Sequence, residues 1–145
     1  NVIIPDSNLR AEFSKTMMAY GITPNSFGKH MVTAAYSQEG AEWVDSLMIY
    51  LAENQRIFNK EITKIPGINP MTLEGTYLGW VDFTNTGMSP KEFTDRVEKS
   101  AQIVANHGHT FGTGGEYFLR FNIATRRSLV LEALDRLTNA FSDLQ

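Results

Sequence analysis

The stretch from Gly114 to Ser128, GGEYFLRFNIATRRS, constrains the fold more than any other part of the chain. Its glycine pair leads into Glu116 to Ile123, a segment whose aromatic and branched content and period of two predict a half-buried strand. Tyr117, Leu119, Phe121 and Ile123 share one face of that strand, and Phe118, Arg120 and Asn122 share the other. A guanidinium and a carboxamide therefore project side by side from one sheet surface. Desolvating an arginine is costly unless an anion meets it. The partner of Arg120 is either an internal acid, with Glu74, Asp82 and Glu116 as candidates, or an anion that arrives from outside.

The rest of the chain supplies layers for such a strand. Asp6 or Ser7 can cap a helix with Leu9, Phe13, Met17 and Tyr20 on one face and Gly21 as its stop. ITPNSFGKH reads as a loop, and Met31 to Ser37 as a short helix broken near Gly40. From Ala41 to about Ile62 runs the longest periodic segment, with Trp43, Leu47, Leu51, Phe58 and Ile62 on one side. At its helical rise it would be on the order of 30 Å long, enough to belong to two domains at once. Pro66 and Gly67 close it off.

Beyond Gly67 the pattern changes. Ile68 to Met71 reads as a short edge strand and Thr76 to Phe83 as a clearer one. Ser89, Pro90, Lys91 and Glu92 form a capping box before a helix that buries Phe93, Val97, Ala101 and Val104. His107 to Gly115 is loop-like, and Ser128 is expected to cap a final helix with Val130, Leu134, Leu137 and Phe141 inward. Strand, helix, strand, helix with short connections predicts an α+β fold: a two-layer sandwich of a small, mainly antiparallel sheet with helices on one face, preceded by the long helix.

Charge and composition exclude several partners. A net charge of -3 gives no reason to expect nucleic acid or an anionic membrane, and no apolar run approaches membrane-spanning length. The chain has no cysteine, hence no thiolate nucleophile or thiolate metal site, which suits a cytoplasmic location. It opens at Asn1 on VIIP, which reads as the end of an element already in progress, so a fragment of a longer protein is expected. His107 and His109 are too sparse a set for a metal site, and FGTGGE leads into a strand where a phosphate cradle leads into a helix. No nucleophile elbow is present.

AAYSQEGAEWVDSLMIYLAENQ, LEGTYLGWVDF and FG followed by GGEYFLRFNIATRRSLVLEAL, in that order and spacing, resemble the C-terminal part of pyridoxal-phosphate enzymes of the class I/II aminotransferase family. The tryptophan of AEW and the EGTYL strand are most similar to the cystathionine beta-lyase and C-S lyase group. The resemblance implies that residues 1–62 are the end of a large cofactor domain with its connecting helix, and that residues 63–145 are a small C-terminal domain. It also implies an amino-acid substrate, pyridoxal 5'-phosphate in the full-length parent, and a homodimer. In the family the arginine of the RxNxA strand grips the substrate α-carboxylate; here that is Arg120, with Asn122 beside it. The loop at Asn25, Ser26 and Phe27 matches a segment near the cofactor site.

The chain departs from the family pattern at Arg126, where a proline is usual, and at His107 and Gly108, where Pro-Gly is common. Ser14, Lys15 and Thr16 spell the family's cofactor-lysine motif, but Lys15 falls inside the first amphipathic helix and its surroundings do not continue the motif. The cofactor lysine is thus expected outside this chain, which alone would be inactive. The alternative is a stand-alone amino-acid-binding module without catalysis.

Overall fold

The first helices begin where a polar side chain can satisfy a free N–H, in a computed structural model that describes residues 2–144. Asp6 accepts from the Leu9 N–H at 2.7 Å and starts α1 (Ser7–Ala19). Asn25 accepts from the Gly28 N–H at 2.5 Å and starts α2 (Ser26–Ala35). The second helix therefore begins well inside the segment expected to be loop, because the asparagine cap outweighs the loop-forming content around it. Ser37 Oγ accepts from Gly40 N at 3.1 Å at the head of α3 (Gln38–Ile62). The break expected near Gly40 falls at Tyr36 and Ser37, between α2 and α3; Gly40 itself lies inside α3, where a Cβ would collide with the Ala35 carbonyl, so this glycine permits a close approach.

Two units divide the chain, Asn1–Asp45 and Ser46–Gln145, and α3 passes from one to the other. None of the described residues of the first unit is buried. Trp43, read from its spacing as sharing one side of the long helix with Leu51, Phe58 and Ile62, is 65% exposed. In the second unit the same helix buries Leu51, Asn54, Phe58 and Ile62, one face at helical spacing. Residues 63–145, the span expected for the small domain, fall within this unit.

Its sheet is formed by β1 (Asn69–Pro70), β2 (Leu78–Asp82), β3 (Asn106–His107) and β4 (Phe118–Asn122), in the order β1-β2-β4-β3 with every pair antiparallel. The β2–β4 register runs from Leu78 opposite Asn122 to Asp82 opposite Phe118. Bonds from Ile123 N to Tyr77 O (3.0 Å) and from Phe83 N to Tyr117 O (2.9 Å) carry the pairing over most of the segment expected to be extended. Strand β2 starts after Thr76 because that residue has φ of 68°, outside the extended region. The two-residue β3 lies where a loop was expected; a strand this short has no period to read.

Ser89 accepts from Glu92 N at 3.3 Å and starts α4 (Pro90–Asp95), which passes into a π-helical turn, Arg96–Ser100. There Ala101 N donates to Arg96 O at 2.8 Å, one residue beyond an α-helical bond. The extra residue and the left-handed Gln102 (φ 56°) turn the chain, so Val104 is 93% exposed and not buried as its spacing predicts; Ala105 takes the inward place. The last helix, α5 (Arg127–Ala140), starts one residue before Ser128, with Arg126 at its cap and no side-chain bond there, so Ser128 is not the cap.

Val130, Leu134 and Leu137 of α5 and the following Phe141 close over Val81, Leu119 and Phe121 of the sheet. Phe58 and Ile62 of α3, Phe93 of α4 and Val97 complete the core, with the Phe83 and Phe93 rings stacked at 4.7 Å. The helices thus cover one face of a four-stranded antiparallel sheet, an α+β arrangement.

Candidate functional site

The uncovered face of the sheet carries the side chains that alternate with the core. On β4, Phe118 and Arg120 are half-buried and Asn122 is exposed, while Leu119 and Phe121 point into the core. Arg120 stands in a row across three strands, opposite Trp80 on one side and Asn106 on the other. Trp80 stacks on Phe118 at 5.4 Å and meets the edge of Phe111 at 5.6 Å. The Arg120 guanidinium carbon lies 4.2 Å from the Phe111 ring centre, a cation–π contact. Phe111 ends a 3-10 turn, Gly108–Phe111, seated where a Cβ on Gly108 would strike the Gly115 carbonyl.

Arg120 Nη2 donates to Asn106 Oδ1 at 3.0 Å, and Arg120 Nε is buried with no hydrogen-bond partner. Among the described residues Arg120 forms no ion pair. Of its internal candidates, Asp82 accepts from Thr84 N (2.7 Å) and Oγ1 (2.5 Å), and Glu116 accepts from Gly114 N at 3.4 Å. A cation on an aromatic ring with one neutral acceptor and an orphaned N–H suits an oxyanion, above all a carboxylate that can take a forked pair of bonds.

Asn122 lies two residues along on the same face, and its Oδ1 accepts from Ala124 N at 2.9 Å, so its carbonyl shapes the strand end. Asn25 caps α2, and Ser26 and the 72% exposed Phe27 open that helix in the first unit. Lys15 lies in the middle of α1, a helix with no buried residue. His107 Nε2 sits 2.7 Å from Glu98 Oε1, and the two histidine rings of the HGH segment meet edge to face at 5.6 Å.

One supporting residue was not singled out from sequence. Asn54 is fully buried; its Nδ2 donates to Ile123 O (3.0 Å) and Thr125 O (2.9 Å), and its Oδ1 accepts from Arg127 Nε at 3.2 Å. Arg127 also lies over the Tyr50 ring at 4.7 Å and its backbone N donates to Tyr50 Oη at 2.8 Å. These contacts clasp α3 to the chain leaving β4. The signal was available: a polar residue three positions after Leu51 and four before Phe58 sits on the buried face.

No protein-family model matches the chain. The cystathionine beta-lyase PatB of Bacillus subtilis is 32% identical over 143 residues, covering 97% of this chain and 37% of that protein. An aspartate aminotransferase of Pyrococcus horikoshii is 28% identical over 109 residues, 75% of this chain and 28% of that protein. Among solved structures, cystalysin from Treponema denticola, described as containing a pyridoxal 5'-phosphate cofactor, superimposes with a TM-score of 0.87 at 33% identity, covering 99% of this chain and 36% of that one. The chain thus spans little more than a third of the length of such relatives.

Proposed function

From the premise that the homologues and structural neighbours of this chain are pyridoxal-phosphate-dependent aminotransferases and C-S lyases, whose C-terminal portion it matches, we propose that Arg120 receives the α-carboxylate of an amino-acid substrate. The observation that supports this is the state of its guanidinium: a ring face, one amide oxygen, an orphaned Nε and no acid. Asn122, beside it on the same face, would border the bound substrate.

Pyridoxal phosphate supplies the electron sink for the bonds broken at the amino acid's α-carbon. The residues of this chain fit the carboxylate end of that substrate. Arg120 binds and orients the carboxylate; Phe111 covers one face of the guanidinium and is itself met by Trp80, which stacks on Phe118; Asn54 holds the end of β4 against α3. We propose that the lysine that carries the cofactor is not among these residues and that the chain by itself is inactive. Borohydride reduction with pyridoxal phosphate, followed by peptide mapping, should then label no defined lysine, and stoichiometric labelling at Lys15 would contradict it. A homodimeric, cytoplasmic parent that acts on cystathionine-like or transaminated amino acids, with the loop at Asn25, Ser26 and Phe27 near its cofactor, belongs to the same proposal. So does the division into 1–62 and 63–145.

The test is made in the full-length protein. Arg120→Leu leaves the incoming carboxylate unpaired and should lower kcat/KM for L-cystathionine by about 2 to 5 kcal/mol in transition-state binding, roughly 30- to 5000-fold. Arg120→Lys should restore part of that, since a point charge cannot reproduce the fork. The cofactor absorbance should be retained in both. A kcat/KM for Arg120→Leu equal to that of the unchanged protein would rule out the carboxylate role.

A further inference from the structure

The acceptor that holds Arg120 is an amide, and the choice of amide over acid has a chemical consequence. Arg56 is paired with Glu53, Arg136 with Glu132, and Arg96 with Asp143, each guanidinium meeting a carboxylate. Arg120 meets Asn106 Oδ1 at 3.0 Å and the Phe111 ring, both neutral; Arg127 is likewise held by an amide and a ring, but its Nε is bonded to Asn54, whereas the Nε of Arg120 has no partner. Acids close by in the chain have other partners: Glu98 lies against His107 Nε2, and Glu116 against Gly114 N.

We propose that Asn106 is a positioning residue that aims the Arg120 guanidinium while leaving its charge uncompensated, so that an external carboxylate is its first counter-ion. This rests on the carboxylate role of Arg120. The geometry that carries it begins with β3, whose two residues bring Asn106 directly opposite Arg120 in the ladder, so both side chains leave the same face. The amide oxygen accepts a hydrogen bond from Nη2 and fixes the plane of the fork. The amide offers no charge and no second acceptor oxygen, so the guanidinium's other donors, including the orphaned Nε, remain unspent by Asn106. The Phe111 ring covers one flat face of the fork and does not compete for its edge. A carboxylate in place of this amide would keep the same bond and close the fork onto itself.

That substitution is the experiment. In the full-length protein, Asn106→Asp changes one NH2 group to oxygen and adds an ion pair to Arg120, so its melting temperature should equal or exceed that of the unchanged protein. Its KM for L-cystathionine should rise about 100-fold with a smaller change in kcat, because an internal anion now competes with the substrate. Inhibition by propionate should weaken by a similar factor, while inhibition by the uncharged isostere propionamide should not change. Asn106→Ala, which frees the guanidinium without neutralising it, should raise KM only about tenfold. A lowered melting temperature for Asn106→Asp, or an unchanged propionate inhibition constant, overturns the proposal. Arg120→Leu in the same assays separates the two levels. If it also leaves propionate inhibition unchanged, the carboxylate role itself is wrong; if it abolishes discrimination between propionate and propionamide while Asn106→Asp does not, only the positioning role is wrong.

Discussion

The two units of this chain use the same helical chemistry to different ends. In the first, α1 and α2 are capped by Asp6 and Asn25, yet leave Leu9, Phe27, Met31 and Tyr36 in solvent. In the second, α3 to α5 put Phe58, Phe93, Leu134 and Leu137 out of water against one face of a sheet. Caps and periodicity are enough to define a helix, but burial of its apolar stripe is what stabilises it; isolated helices of this length are marginal in water. The apolar faces of the first unit are consistent with the proposal that the chain is one part of a larger enzyme, whose relatives are nearly three times as long. The second unit has a core of its own and turns a different surface, the Arg120 face, outward.

The largest test of that contrast is a pair of phenylalanine truncations in the isolated chain. Phe83→Ala removes a fully buried ring stacked on Phe93 and should cost about 3 to 5 kcal/mol in denaturant unfolding of the second unit. Phe13→Ala, at a position 40% exposed, should stay within about 0.5 kcal/mol. Equal costs would mean that the first unit is packed in solution, and the comparison would fail.

A smaller loss sharpens the boundary between packing and positioning within the second unit. Asn54→Leu removes the donor to the Ile123 and Thr125 carbonyls and the acceptor of Arg127 Nε, leaving buried polar atoms unpaired. It should lower stability by about 2 to 3 kcal/mol and speed amide exchange at the β4 end before it affects α4. Uniform exchange across the unit would show that Asn54 is an ordinary core position.

The smallest effect lies at the surface. A hydrogen bond from Arg96 holds the Asp143 carboxyl below the usual carboxylate range, and Asp143 in turn ties the turn after α4 to the residues beyond α5. Its folded-state pKa lies below its unfolded value, so the contribution is present at neutral pH and is lost as pH falls through and below the usual aspartate range. Asp143→Asn should therefore lower the stability of the second unit slightly at neutral pH, leave it unchanged below the aspartate range, and so flatten the acid limb of the profile. A loss at neutral pH as large as that of Asn54→Leu would contradict it.

Much of the second unit was legible in the sequence, because its signals are local and repeated. The alternation of Leu119 and Phe121 with Arg120 set the two faces of β4, and the spacing of Val130, Leu134 and Leu137 set the buried stripe of α5. What escaped depended on geometry that spacing does not encode. The π-helical turn added one residue and moved the inward place from Val104 to Ala105. Gly40 looked like a breaker and is a contact. The site followed the same division: Arg120 stood out by its face, but Asn106 and Phe111 reach it only through a two-residue strand and a 3-10 turn.

The central claim is that adjacent residues of β4 serve opposite ends, Leu119 the fold and Arg120 a ligand. The most direct measurement takes melting temperature and kcat/KM for L-cystathionine on Leu119→Ala and Arg120→Leu in the full-length protein. The account predicts a lowered melting temperature with near-normal kcat/KM of the folded fraction for Leu119→Ala, whose side chain is buried in the core. For Arg120→Leu it predicts a near-normal melting temperature with kcat/KM reduced at least about 30-fold. An Arg120→Leu protein that melts early and retains its kcat/KM when folded would contradict it.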